Sequence, residues 1–183
     1  MPEPGAPPLS TGRRVSELIS AEKIATRIGD LGAEITRDYA EGDLVLVGVL
    51  RGCFVFMADL ARRIDLPVAC DFLGIQSYGD ATETSGVARI TSDLVRPISG
   101  KDVLIIEDII DTGVPVRYLL DLLHDRHPRS VKVAALLHKP ARAQRTVPIA
   151  YLGFTIPDRF VVGYGLDHAQ RWRNLPYIGV LEE

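Results

Sequence analysis

Several things are scarce in this chain of 183 residues. There are two cysteines, Cys53 and Cys70, and they form no CxxC spacing. That excludes a disulfide-stapled scaffold, and a reduced, cytoplasmic protein is expected. Positive charge is not in surplus: the net charge is −3. Binding of nucleic acid by bulk electrostatics is therefore disfavoured, which leaves only a local basic patch open. No apolar run approaches the ~18 residues of a membrane span, and the first residues lack a basic-then-apolar signal pattern. No membrane partner is expected. Internal repeats are absent, so nothing marks a boundary between domains.

What is present is ordinary: 46% hydrophobic and 25% charged residues. A domain of this length buries roughly 70% of its unfolded surface, enough for its own core. Residues 1–13, with four of the twelve prolines, read as a disordered proline-rich tail. Residues 14–183 read as one domain.

Ser20 is a candidate N-cap for a helix over Ala21–Tyr39, whose Ile24, Ile28, Leu31 and Ile35 share one face. Leu44–Leu50 is apolar on both side-chain parities, the pattern of a parallel strand covered on both sides. A helix is expected over Cys53–Ile64, with Phe54, Met57, Leu60, Ala61 and Ile64 inward. Strands are expected at Val68–Ile75, Val103–Ile106, Val131–Leu137, Phe160–Val162 and Tyr177–Leu181, and a helix at Val114–His124. Alternating strands and helices predict an α/β fold, a mostly parallel twisted sheet flanked by helices. Ligands of such folds bind at the carboxyl ends of the strands.

The segment Val103–Pro115 carries the most chemistry. An apolar strand ends in two acids, Glu107 and Asp108, and the loop Asp111-Thr112-Gly113 leads into a helix. Backbone N–H groups at that helix start can hold a phosphate, aided by the Thr112 hydroxyl and the helix dipole. Gly113 permits close approach of the backbone. The acids cannot hold phosphate as well. They suit sugar hydroxyls or a hydrated Mg²⁺. Asp-Thr-Gly alone reads more readily as a turn, with Asp111 capping the helix. With the strand and acid pair in front of it, the reading becomes a site for a ribose 5-phosphate.

Glu107-Asp-Ile-Ile-Asp-Thr-Gly113 resembles the phosphoribosyl pyrophosphate (PRPP) loop of type I phosphoribosyltransferases, in the form found in hypoxanthine-guanine phosphoribosyltransferases. Leu50-Arg-Gly52, Ser77-Tyr78, His138-Lys139, Phe160–Asp167 and Arg171-Trp-Arg173 follow that family's pattern and order. The resemblance implies the type I phosphoribosyltransferase fold. A small hood would be built from the N-terminal segment and about 140–183. It implies a Mg²⁺-dependent reaction of PRPP with a purine base, giving a nucleoside 5′-monophosphate and pyrophosphate. Asp111 would be the general acid/base. Glu107, Asp108, Ile110, Asp111, Thr112, Gly113 and Val114 would bind PRPP. Arg51, Gly52, Ser77, Tyr78 and Arg173 would bind pyrophosphate, with Ser77–Arg89 as a lid that keeps water from C1′. Ile109, Lys139, Phe160, Val161 and Asp167 would form the purine site, with Phe160 stacking on the base and Lys139 reading its 6-oxo group. Asp167, Glu107 and Asp108 are the implied metal ligands, and a homodimer or homotetramer is implied.

For lone residues the bland readings are a surface Lys139, a core strand at Phe160 and a plain strand-to-helix turn at Arg51-Gly52. One departure stands out. Val114-Pro115 replaces the family's long side chain and Thr, which removes a hydroxyl and an N–H from the phosphate site and implies weaker PRPP binding. Competing readings are a xanthine-preferring enzyme, an RNA-binding regulator on the same fold, and a receiver-type signalling domain. The regulator would need a basic face. The receiver domain would need its acid pair near the N-terminus.

Overall fold

The computed structural model describes residues 14–76 and 89–182. The expected tail and most of the expected lid, with Ser77 and Tyr78, lie outside the described residues. Strand β1 (Val15–Ile19) leads into α1 (Ala21–Asp38), then β2 (Leu44–Leu50), α2 (Phe54–Ala61), β3 (Ala69–Gln76) and β4 (Arg89–Ser92). The chain continues through β5 (Asp102–Ile110), α3 (Val114–His124), β6 (Ser130–His138), a 3₁₀ turn at Pro140–Arg142, β7 (Tyr151–Thr155), β8 (Val161–Val162) and β9 (Ile178–Leu181).

Six strands form one sheet in the order β4-β3-β2-β5-β6-β7, parallel except for β4. The expected α/β class is observed. Odd residues of β2 and the first half of β5 (Val45, Val47, Val103, Ile105) pack on Val116, Leu119 and Leu123 of α3. Even residues (Leu44, Leu46, Leu104, Ile106) pack on α1 and α2. This two-sided covering is why β2 reads as an unbroken apolar run. Full burial of each such leucine is worth about 2 kcal/mol. A second, antiparallel sheet, β1-β9-β8, joins the two ends of the described chain.

The helices begin and end where the local chemistry directs. Ser20 Oγ accepts from Lys23 N at 3.4 Å, and Ile24, Ile28, Leu31 and Ile35 are buried. α3 begins at Val114, with Gly113 as N-cap and Pro115 in the first turn, where a missing N–H is harmless.

Four expectations need correction. α2 is shorter than Cys53–Ile64; Met57, Leu60 and Ile64 are buried as expected and Ala61 packs on the core, but Phe54 is 45% exposed and Phe56 is fully buried instead. Phe54 is the first residue of the helix, where the chain has only begun to follow the helical face. β5 runs past Ile106 to Ile110, so both acids lie within the strand. Phe160 precedes β8 rather than joining it, and β9 starts one residue after Tyr177. β1, β4 and β7 were not expected. β1 and β4 are short strands at sheet edges, and β7 is an edge strand interrupted by Gly153.

The geometry of β5 creates the cleft. β2 and β5 pair up to Gly48–Ile106. Beyond that, β2 continues on β3 to Leu50, while β5 continues on β6 to Ile110. The sheet forks, and the acids lie along one prong.

Candidate active site

Successive strand residues project to opposite faces, and Glu107 and Asp108 obey that rule. Glu107 is buried and lines a cavity of about 210 Å³ together with Val49, Ile75, Ile109, Ile110, Asp111, Thr112, Gly113, Pro115 and Val116. Burial, followed by the charge of Asp108, pushes its carboxyl well above the usual range. Asp108 turns the other way, against Gly52: a Cβ at that glycine would sit on the Asp108 carboxylate. Burial pushes the Asp108 carboxyl up to about 6, opposed by the Ile109 N–H, which donates to Oδ1 at 2.9 Å.

The loop after β5 is built for close approach. Gly113 has φ +76, and a Cβ there would strike the Arg145 carbonyl. Gln144 N and Arg145 N both donate to Thr112 O, at 2.9 and 3.0 Å, so the loop is pinned from behind. Asp111 does not cap α3: the helix has no side-chain cap, and Val114 N lies 3.4 Å from Thr112 Oγ1. The capping reading of Asp111 is therefore set aside. Asp111 Oδ1 is buried without a hydrogen bond, although Arg142 Nε approaches it to 3.2 Å at a poor angle.

Opposite this loop stands the turn after β2. The Leu50–Arg51 peptide is cis, Arg51 is exposed, and Gly52 fits between the Asp108 carboxylate and Gly165. Gly165 has φ +100, and a Cβ on it would strike the Gly52 carbonyl. The two glycines let the Arg51-Gly52 turn meet the Gly163–Asp167 loop backbone to backbone. Arg173 clasps that loop: it donates to Gly165 O at 2.7 Å, pairs with Asp167 Oδ1 at 2.7 Å, and reaches Gln170 Oε1 at 3.2 Å. From behind, the Tyr164 hydroxyl donates to Asp59 of α2, which is also paired with Arg62. A larger cavity of about 790 Å³ lies on that rear side, between α1 and α2. Of the expected site residues only Arg173 lines it, so its size does not make it the site.

On the third side, Lys139 follows β6 and is 5% exposed, which sets aside the surface reading. Its Nζ lies 3.7 Å from Asp158 Oδ1, and Arg142 Nη1 lies 3.9 Å from the same atom. Lys139, Asp158, Arg142 and Asp111 thus form an alternating chain of charges. Phe160 is 53% exposed, unlike a core strand residue, while Val161 beside it is buried. Ile109 is half-buried and Trp172 is packed at 6% exposure. Asp59, Asp158 and Arg142 were not expected from the sequence. Their partners lie far along the chain or in turns, and no motif marks them.

The implied metal trio is not gathered in one place. Among the described residues no three His, Cys, Asp or Glu side chains converge. Mg²⁺ needs fewer, one or two carboxylates beside waters and phosphate oxygens. Asp108 and Asp167 fit that smaller set. They lie near enough for the charge of Asp167 to raise the Asp108 carboxyl, an effect that the larger opposing charge effect of Arg173 outweighs. Glu107 lies on the other face of the strand.

The phosphoribosyl transferase domain family matches residues 14–169. The chain is similar to a hypoxanthine phosphoribosyltransferase of Haemophilus influenzae, 52% identical over 92% of this chain and 97% of that one. It is also similar to a hypoxanthine-guanine phosphoribosyltransferase of Mycobacterium avium, 49% identical over 91% and 85%. Among solved structures, a Staphylococcus aureus hypoxanthine phosphoribosyltransferase superposes with a TM-score of 0.88 at 44% identity, over 91% of each chain.

Proposed function

This chain belongs to the phosphoribosyltransferase family, and from that premise we propose that it transfers the phosphoribosyl group of PRPP to N9 of hypoxanthine or guanine. The products are IMP or GMP and pyrophosphate, a step of purine salvage. The observation that carries this reading is the cavity at the fork of the sheet, lined by Glu107, Ile109–Gly113 and the start of α3.

The 5′-phosphate is held by backbone N–H groups of Thr112, Gly113 and Val114, backed by Ile110, at the positive end of α3. Glu107, which lines this cavity, faces the ribose hydroxyls, and Asp108, on the opposite face of the strand against Gly52, faces the metal side. Arg51, Gly52, Ser77, Tyr78 and Arg173 take the pyrophosphate, where the guanidinium of Arg173 offsets charge as the C1′–O bond breaks. Mg²⁺, held by Asp167 and Asp108, would shield the diphosphate oxygens. The base lies between Ile109 and Phe160, Lys139 donates to its 6-oxo oxygen, and the Val161 backbone reads its edge. Asp111 accepts the proton that the purine gives up at N7 as N9 bonds to C1′. Its unbonded Oδ1 supports that role. The β1-β9-β8 sheet with Phe160 and Val161 is the hood.

The same reading places the protein in the cytoplasm as a homodimer or homotetramer. Exposed Phe54 and Phe72 support subunit contact. No described helix is long and apolar enough to cross a membrane. The test is turnover with PRPP, Mg²⁺ and each of hypoxanthine, guanine, xanthine, adenine and uracil. Pyrophosphate release with hypoxanthine or guanine is expected. Activity with uracil alone, or with no base, would overturn the assignment.

A further inference from the structure

Phe160 presents a problem. A ring exposed by half is free to rotate, and a loose ring stacks poorly because ordering it costs entropy on binding. Its backbone is fixed, since Leu181 N donates to Phe160 O at 3.0 Å, but that bond does not restrain the side chain. His168 does. The two rings meet edge to face, with centroids 5.3 Å apart and planes at 87°. This is the arrangement that the quadrupoles of aromatic rings favour.

The His168 ring is itself held firmly. His168 N donates to Arg171 O at 3.2 Å, and Arg171 N donates back to His168 O at 3.1 Å. The turn between them places Ala169 and Gln170 at φ +50 and +64. Left-handed backbone at non-glycine residues costs energy and persists only where its surroundings enforce it. Behind His168 stands Trp172, its ring centroid 5.9 Å away. Trp172 is packed with Val162, Leu181, Val15 and Leu175, the core of the small sheet. A ladder of rings therefore runs from that core through Trp172 and His168 to Phe160.

We infer that His168 is a positioning residue for the purine: its edge-to-face contact fixes the orientation of the Phe160 ring for stacking on the base. The inference rests on Phe160 being the base-stacking residue. It predicts that His168 matters to the base and not to PRPP, although Asp167 and Arg173 flank it in the same turn.

The test is steady-state kinetics on His168→Ala and His168→Phe in the full chain, with IMP titrations read by fluorescence of Trp172, the single tryptophan. In His168→Ala the purine KM should rise roughly three- to tenfold, with the PRPP KM and the melting midpoint near wild type. The IMP-dependent fluorescence change should shrink. His168→Phe should restore both. If His168→Ala fails to fold, His168→Gln against His168→Phe gives the same contrast. An unchanged purine KM, an equal rise in both KM values, or no rescue by Phe would overturn the inference. Wild-type protein with neither turnover nor an IMP-dependent signal would instead overturn the base-site reading on which it depends.

Discussion

Strand β5 carries carboxylates at both ends, in opposite electrostatic settings. At its start, Asp102 is buried and fully answered. Arg129 donates to both carboxylate oxygens, from Nε at 3.0 Å to Oδ1 and from Nη2 to Oδ2, and the Ser130 hydroxyl donates to Oδ1 at 2.7 Å. The Arg129 hydrogen bond holds its carboxyl below the usual range. At the far end, Glu107 is buried and Asp108 half-buried, neither is ion-paired with a cation among the described residues, and their carboxyls are pushed up. A scaffold satisfies its buried charges. A site leaves them wanting, and a substrate or ion completes them.

The contrast breaks most sharply by substitution. Asp111→Asn, beside the uncompensated acids, should lower kcat by about 10²-fold or more, roughly 3 kcal/mol of barrier, while the PRPP KM changes little. A larger rise in KM than fall in kcat would make Asp111 a binding residue. Asp102→Ala should do the reverse. Removing the acceptor of Arg129 and Ser130 should cost about 2–3 kcal/mol of unfolding free energy in denaturant titration, with kcat at 25 °C unchanged.

The two ends should also titrate with opposite sign. Asp102 binds its proton less readily when folded, so its stabilisation holds above its ordinary pKa and is lost as pH falls below it. Asp108 binds its proton more readily when folded, with its carboxyl at about 6 against an ordinary 3.8. Its cost to the substrate-free fold is absent below the lower value and complete above the upper one. Asp108→Asn should therefore stabilise the substrate-free protein by up to about 3 kcal/mol at pH 8. The gain should vanish as pH falls through 6 towards 4 in melting curves, and a constant gain across pH would refute this account. The smallest effect is expected at α3. Pro115→Thr returns one N–H and one hydroxyl to the phosphate site and should lower the PRPP KM up to about tenfold, the worth of one added hydrogen bond. No decrease would remove that idea.

Much of this was legible in the sequence because it is local. β2 and α3 have the expected bounds, since a seven-residue apolar run and a Gly-Val-Pro start are unambiguous. The Glu107–Val114 segment was legible because one short stretch supplies both acids, loop and helix start. What stayed hidden depends on contacts distant along the chain. Asp59 has meaning only through Tyr164, and His168 only through Phe160 and Trp172. The acids were expected just past the end of a strand, because apolar patterning stops at Ile106. The strand itself continues, since β6 supplies backbone partners regardless of side chain.

The fork has an evolutionary corollary. Where β5 leaves β2 but stays on β6, the cleft is walled by peptide groups whose positions follow from strand register alone. Mutation can change a side chain in this wall, but only a proline, such as Pro115 at the start of α3, removes an amide N–H. On the proposed reading, base preference can drift through residues such as Lys139, Phe160 and His168 while the backbone part of the cleft changes little. Catalogues of residue types will under-count this part of the enzyme, because its main component is common to every amino acid but proline.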